Sequence, residues 1–372
     1  MAPPPGSSPE TEPEPETEPL AGAVLAVDDL HITVHHGAAA AVRGVSLTVR
    51  PGEVVGLVGE SGSGKTLTCR AALGVLPPGC AIGQGTITFA GQDVTSLPRR
   101  GWERIHGSGI GAVFQDPASY LNPSLTVGSQ VAEVLRVKQG LSRRPARQRA
   151  GELLAAVGLR DPERVYDQIP AELSGGMLQR VMLAIAISCD PKLLIADEAT
   201  TALDVTIQAE IIELIRDLRD RTGLAVLFVS HDLAVIRELC DRVVVFYAGE
   251  VVESGTVGEI IERPLHPYTQ ALLRVASVGD FGRRELQVIA GQPPAVGERV
   301  TGCAFAPRCV AATGACRAGT VPLTAAGARR EVRCLRHGDE SLAAEIAEKT
   351  AKAAADLAAE VAAEAGGELT SR

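Results

Sequence analysis

The chain has 372 residues, 45% of them hydrophobic, and a mean hydropathy of +0.13. It can therefore bury one or two sizeable cores, and it is not disordered throughout. The net charge of −9 sits at the ends: residues 1–20 carry five Glu and no Lys or Arg, residues 338–372 carry a further −5, and 21–337 is left at +1. With aromatics at 3%, this excludes a basic, base-stacking nucleic-acid surface.

Seven Pro and five Glu make residues 1–22 an expected disordered, solvated lead-in, without the basic and apolar regions of a secretory signal. No apolar run approaches the ~20 residues of a membrane-spanning helix, so a cytosolic setting is expected. Short β-like runs begin near Ala23 (VLAV, HITVH, VSLTV), spaced by Asp, Gly and polar turns. From Glu53 strands alternate with helices. EVVGLV, IGAVF, LLIAD, LAVLFVS and RVVVFY are strand-length apolar runs, and helical segments fall near 146–157, 175–188 and 205–221. The alternation predicts an α/β fold, a mostly parallel sheet covered on both faces, over 23–262. Beyond Arg263, six prolines from Pro264 to Pro322 and four of the eight cysteines mark a smaller module over 263–337. The Ala/Glu/Lys-rich stretch 338–372 reads as a solvated, fraying helix, because its apolar residues are mostly Ala.

Gly59-Glu60-Ser61-Gly62-Ser63-Gly64-Lys65-Thr66 fits G-x-x-x-x-G-K-[ST] between a strand and a helix, the context that a phosphate-binding loop requires. Its glycines let backbone N–H groups curl around a phosphate, and the helix N-terminus adds partial positive charge. Lys65 is placed to reach the β/γ-phosphates and Thr66 to ligate Mg²⁺. Asp197 and Glu198 end the strand LLIAD; Asp197 suits Mg²⁺, and Glu198 suits orienting or deprotonating an attacking water. His231, in Ser230-His231-Asp232 after LAVLFV, stands where strand ends line the ligand crevice of open α/β sheets. Leu173-Ser174-Gly175-Gly176-Met177-Leu178-Gln179-Arg180 opens a helix, with Ser174 able to cap it and two glycines exposing N–H groups to an anion.

LSGG-x-x-QR ahead of LLIADE resembles the signature of the ATP-binding-cassette (ABC) family. Gln115 in VFQDP resembles that family's Q-loop, Thr201-Ala202-Leu203-Asp204 its D-loop and His231 its switch histidine, all in family order over roughly 23–262. The resemblance implies a P-loop NTPase with a mixed-sheet core, an antiparallel β subdomain and a helical signature subdomain. It implies ATP and Mg²⁺, held by Thr66, Gln115 and Asp197, with Glu198, His231 and Gln115 as the catalytic group. It also implies head-to-tail pairing, in which Ser174, Gly175, Gly176 and Gln179 serve the partner's nucleotide and Asp204 lies at the joint. Two departures stand out: Val34-His35-His36-Gly37 offers histidines where the family stacks adenine on an aromatic, and Leu178 fills a more often polar position. A P-loop kinase or GTPase would not explain LSGG or the D-loop. A non-transport ABC ATPase of DNA repair or translation would need coiled-coil insertions or two cassettes.

Arg263–Leu273 (RPLHPYTQALL), FQDPASYLNPSLTV and EATTALDVTIQAEI resemble the oligopeptide/dipeptide and nickel importers, and SGGM resembles the first of that branch's two paired ATPase subunits. This implies two membrane permeases, a sister ATPase in preference to a homodimer, an extracytoplasmic solute-binding protein, and a peripheral place on the cytoplasmic membrane face. The cargo, peptide, nickel or another small solute, stays open. Cys303, Cys309, Cys316 and Cys334 follow C-x5-C-x6-C-x17-C, which is not a C-x2-C zinc spacing. The segment resembles the C-terminal module of peptide-importer ATPases, which implies a 4Fe–4S cluster; zinc and packed free thiols remain open alternatives.

Overall fold

The computed structural model describes residues 22–199, 204–277, 289–298, 300–350 and 352. The expectations for residues 1–21, for Thr201, Ala202 and Leu203, and for 353–372 lie outside the described residues.

β1 (Leu25–Val34) and β2 (Ala39–Val49) pair antiparallel. The Asp28–Asp29 step, expected as a turn, is instead a bulge through which β1 continues, with register shifts on either side of Leu30. β3 (Val54–Val58) is buried at every position, then the Gly-rich loop leads into α1 (Lys65–Ala72). β4 (Ala81–Phe89) and β5 (Gln92–Asp93) complete a four-stranded antiparallel sheet of order β2-β1-β4-β5. α2 (Arg99–Ile105) then leads to β6 (Ile110–Val113).

A helical block follows: α3 (Pro117–Tyr120), α4 (Val127–Gln139), α5 (Arg143–Ala156), α6 (Pro162–Tyr166) and α7 (Gly175–Ile187). In α4 the Thr126 hydroxyl caps the start, Gly140 turns the end in left-handed conformation, and Val127, Val131 and Leu135 form one buried stripe. The chain then returns to the sheet through β7 (Leu193–Asp197), α8 (Val205–Thr222), β8 (Ala225–Val229), α9 (Leu233–Leu239), β9 (Arg242–Tyr247) and β10 (Glu250–Thr256). α10 (Val257–Glu262), α11 (Pro267–Ser277), β11 (Thr324–Gly327) and β12 (Arg330–Val332) follow.

The second sheet has eight strands in the order β11-β12-β10-β9-β3-β8-β7-β6. β9, β3, β8, β7 and β6 run parallel, which is why their sequences read as unbroken apolar runs; β10, β12 and β11 are antiparallel additions. The segment 263–337 is therefore not a free-standing module, since its hairpin extends the cassette's own sheet. Glu253 of β10, fully buried, accepts from Arg330 of β12 (2.8 Å) and from the backbone N–H groups of Leu265 and His266 (2.9 Å each). Nor is the start of the Ala-rich stretch solvated. Leu342 and Ile346 are buried with Ala311 and pack against Cys309 and Cys334.

Candidate nucleotide site

The sheet order sets β8 between β3 and β7, so the loops after these three strands share one edge. Gly59 opens the phosphate loop at φ +145°, and a Cβ there would lie 2.2 Å from the Phe246 carbonyl oxygen on β9. Only glycine fits. α1 starts at Lys65 with no side chain capping it, which leaves its first N–H groups to the loop's interior. The Lys65 ammonium is buried and donates to Gly59 O (2.8 Å), Glu60 O (2.9 Å) and Ser63 Oγ (3.3 Å). Burial pulls its pKa below the usual lysine range, against the opposing pull of Glu198 and Asp197.

Thr66 Oγ1 donates to Asp197 Oδ1 at 3.1 Å, so the two residues expected to share a cation meet directly. Burial raises the Asp197 carboxyl pKa, and the Thr66 hydrogen bond offsets part of the rise. Glu198 takes left-handed backbone (φ +53°), a conformation costing of order 1 kcal/mol for a non-glycine residue. Its N–H donates to Val229 O at 3.1 Å, and its carboxylate lies 4.0 Å from His231 Nδ1. Lys65, Thr66, Asp197, Glu198 and His231 are thus brought together. Gln115 is exposed just past β6 and is not hydrogen-bonded to Thr66 or Asp197.

At α7, Ser174 Oγ accepts from the Met177 N–H at 3.4 Å. Gly175 faces open space, whereas a Cβ on Gly176 would lie 2.7 Å from Ile207 Cγ2 of α8. Gln179, one turn further along α7, is 2% exposed. Asp204 caps α8, accepting from the Ile207 N–H at 3.0 Å. His36 sits in the β1–β2 turn, with its ring beside Gly79.

Two further arrangements come from the fold. The Glu60 side chain does not face the phosphate loop; it is ion-paired with Arg308, to which the sequence assigned no role. The four C-terminal cysteines line one cavity together with His266 and Phe305, and Cys303 Sγ lies 3.9 Å from His266 Nε2. Burial pushes the Cys303 thiol up to about 11, and raises Cys309 and Cys334 as well. Among the described residues no three His, Cys, Asp or Glu converge on a point that would hold a single metal ion.

The fold and site define a P-loop NTPase of the ATP-binding-cassette type. The ABC transporter profile matches residues 42–201, and the oligopeptide/dipeptide transporter C-terminal region matches 252–316. A putative peptide import ATP-binding protein of Brucella melitensis is 46% identical over 308 residues, covering 80% of this chain and 91% of that protein. The oligopeptide transport ATP-binding protein AppD of Bacillus subtilis (44%; 81% and 92% covered) and the dipeptide transport ATP-binding protein DppD of Escherichia coli K12 (44%; 84% and 96% covered) are similarly alike. A cassette solved as a dimer in a post-hydrolysis state, bound to ADP and Pi, superposes with a TM-score of 0.57 at 28% identity, covering 63% of this chain and 98% of that one. The chain belongs to the ABC transporter family of ATPases, in the branch that carries the oligopeptide/dipeptide C-terminal region. No helix among the described residues is long and apolar enough to cross a membrane.

Proposed function

We propose that this chain is the ATP-hydrolysing subunit that powers peptide import through a membrane ABC transporter. The observation that carries the cargo class is the C-terminal region over 252–316, together with relatives named for peptide, oligopeptide and dipeptide transport. ATP lies on Gly59–Thr66, with Lys65 on the β/γ-phosphates. Thr66 and Asp197, with Gln115, would hold a Mg²⁺ ion that would neutralise charge building on those phosphates; the 3.1 Å Thr66–Asp197 contact supports the pair. Glu198 takes the proton of the attacking water as its oxygen bonds the γ-phosphorus and ADP leaves. His231 orients the γ-phosphate from beside Glu198. Ser174 and Gly175 face the nucleotide of a paired cassette, with Asp204 at the joint.

The paired cassette is a sister ATPase, both sit peripherally on the cytoplasmic face of two permeases, and a solute-binding protein delivers cargo outside. A mild-detergent pull-down of the tagged chain from native membranes tests this. Recovery of two permeases and a second ATPase is expected; a chain recovered alone, or with ribosomes or DNA-repair factors, overturns the transport reading.

The same reading takes Cys303, Cys309, Cys316 and Cys334 as thiolate ligands of a 4Fe–4S cluster. All four line one cavity, and that shared lining is what supports reading them as one set of ligands. Burial favours the protonated thiols of Cys303, Cys309 and Cys334, so binding the group would release protons. An anaerobic preparation is expected to be brown and to contain iron and acid-labile sulfide. Zinc alone, or no metal, overturns the cluster.

A further inference from the structure

Glu60, the second residue of the phosphate loop, is held from three sides. Its backbone N–H donates to Tyr268 Oη at 2.8 Å, so this N–H is turned away from any phosphate. Its carbonyl accepts from Lys65 Nζ at 2.9 Å. Its carboxylate takes a two-point grip from Arg308, Nη1 to Oε2 at 2.7 Å and Nη2 to Oε1 at 2.9 Å. The Arg308 side chain is 4% exposed and every one of its N–H groups is used: Nε donates to Ala290 O (3.0 Å), Nη2 also to Ile289 O (2.9 Å), Nη1 also to Tyr247 Oη (3.2 Å). A guanidinium so satisfied has one geometry, and it fixes the carboxylate that meets it.

Both grips come from the C-terminal segment, and each is next to residues that line the cysteine cavity. Arg308 precedes Cys309. Tyr268 donates its N–H to His266 Nδ1 at 3.0 Å, and His266 lies beside Cys303. Phe305, between Cys303 and Arg308 in the chain, packs edge-on against Tyr268 (5.4 Å) and Tyr247 (5.3 Å). The packing is continuous from cysteine to phosphate loop.

We propose that Arg308 and Tyr268 are positioning residues for the phosphate loop, acting through Glu60, so that the C-terminal segment sets this chain's affinity for ATP. The inference rests on nucleotide binding at Gly59–Thr66, but not on what the cysteines hold. Glu60 shares its carbonyl with Lys65, so a shift of Glu60 displaces the ammonium that must meet the phosphates.

The test is equilibrium binding of a fluorescent ATP analogue with Mg²⁺ to the full chain, alongside thermal melting. Arg308→Ala and Glu60→Gln are each expected to raise Kd about tenfold, with the double variant no weaker than either single one, as for two halves of one interaction. Tyr268→Phe, which removes one hydroxyl and keeps the packed ring, is expected to raise Kd about threefold. Arg308→Lys should recover only part of the loss, because an ammonium cannot grip both oxygens. Additive effects in the double variant, or a Kd within about twofold of wild type in both Glu60→Gln and Tyr268→Phe, would overturn the proposal, because a purely structural role moves the melting temperature and not the coupling. Lys65→Ala serves as the separate control: if it too retains wild-type affinity, the nucleotide-site reading fails first.

Discussion

At the scale of single residues, the site is built from groups the surrounding chain forces into place. Glu198 sits in left-handed backbone with its N–H tied to Val229 O, and that tie points its carboxylate toward His231 rather than along the strand. Glu198→Gln keeps the shape and removes the base. Turnover is expected to fall about 10²-fold or more while nucleotide affinity is retained, as a single-turnover assay beside a binding isotherm would show. Gly59, Lys65 and Thr66 were legible because the chemistry of cradling a phosphate permits few alternatives at each position. Arg308 was not. Its partner Glu60 lies 248 positions away, and no local pattern reports so distant a contact.

Among the elements, the strands that read most clearly were those buried on both faces, because their apolar runs have no other use. Bulged β1 was misread as two pieces, since Asp28 and Asp29 carry the chemistry of a turn but occupy an irregular strand. α10 was below the length at which periodicity speaks. It owes its start to a reciprocal cap: Thr256 Oγ1 accepts from the Glu259 N–H while Glu259 Oε2 accepts from the Thr256 N–H. These hydrogen bonds, backbone first and hydroxyl second, hold the Glu259 carboxyl below its ordinary 4.5. With the folded value depressed, the contribution is full above the ordinary value and is lost as pH falls through the folded one. Thr256→Ala is expected to cost about 1 kcal/mol near neutral pH. Chemical denaturation from pH 6 to 3 should show the difference from wild type shrinking with acid; a constant difference would remove the cap from the account.

For the whole molecule, two features decide how the parts combine. Gly175 faces open space and Gly176 touches Ile207, so the two glycines of one motif differ in what they protect. Gly175→Ala is expected to fold and to bind nucleotide normally, yet to lose hydrolysis in the assembled transporter if, as proposed, this open face meets a paired cassette. Gly176→Ala should instead lower the melting temperature of the isolated chain. The second feature is the buried Glu253–Arg330 pair across β10 and β12. Arg330→Ala leaves a fully buried carboxylate without its cation and is expected to cost about 3–5 kcal/mol in urea unfolding. The overall α/β architecture was readable from alternation alone. That the later segment closes the earlier sheet was not readable, because strand order is set by pairing between residues as far apart as Glu253 and Val332.

That late closure bears on how the chain is made. β10 is complete at residue 256, but its outer edge is covered only by β12 at Arg330–Val332. On the ribosome, and in any chain stopped after the cassette, β10 therefore presents unpaired backbone to its neighbours, an open invitation to edge-to-edge association. A chain ending at Glu262 should keep every nucleotide-contacting residue and still come out of cells as aggregate.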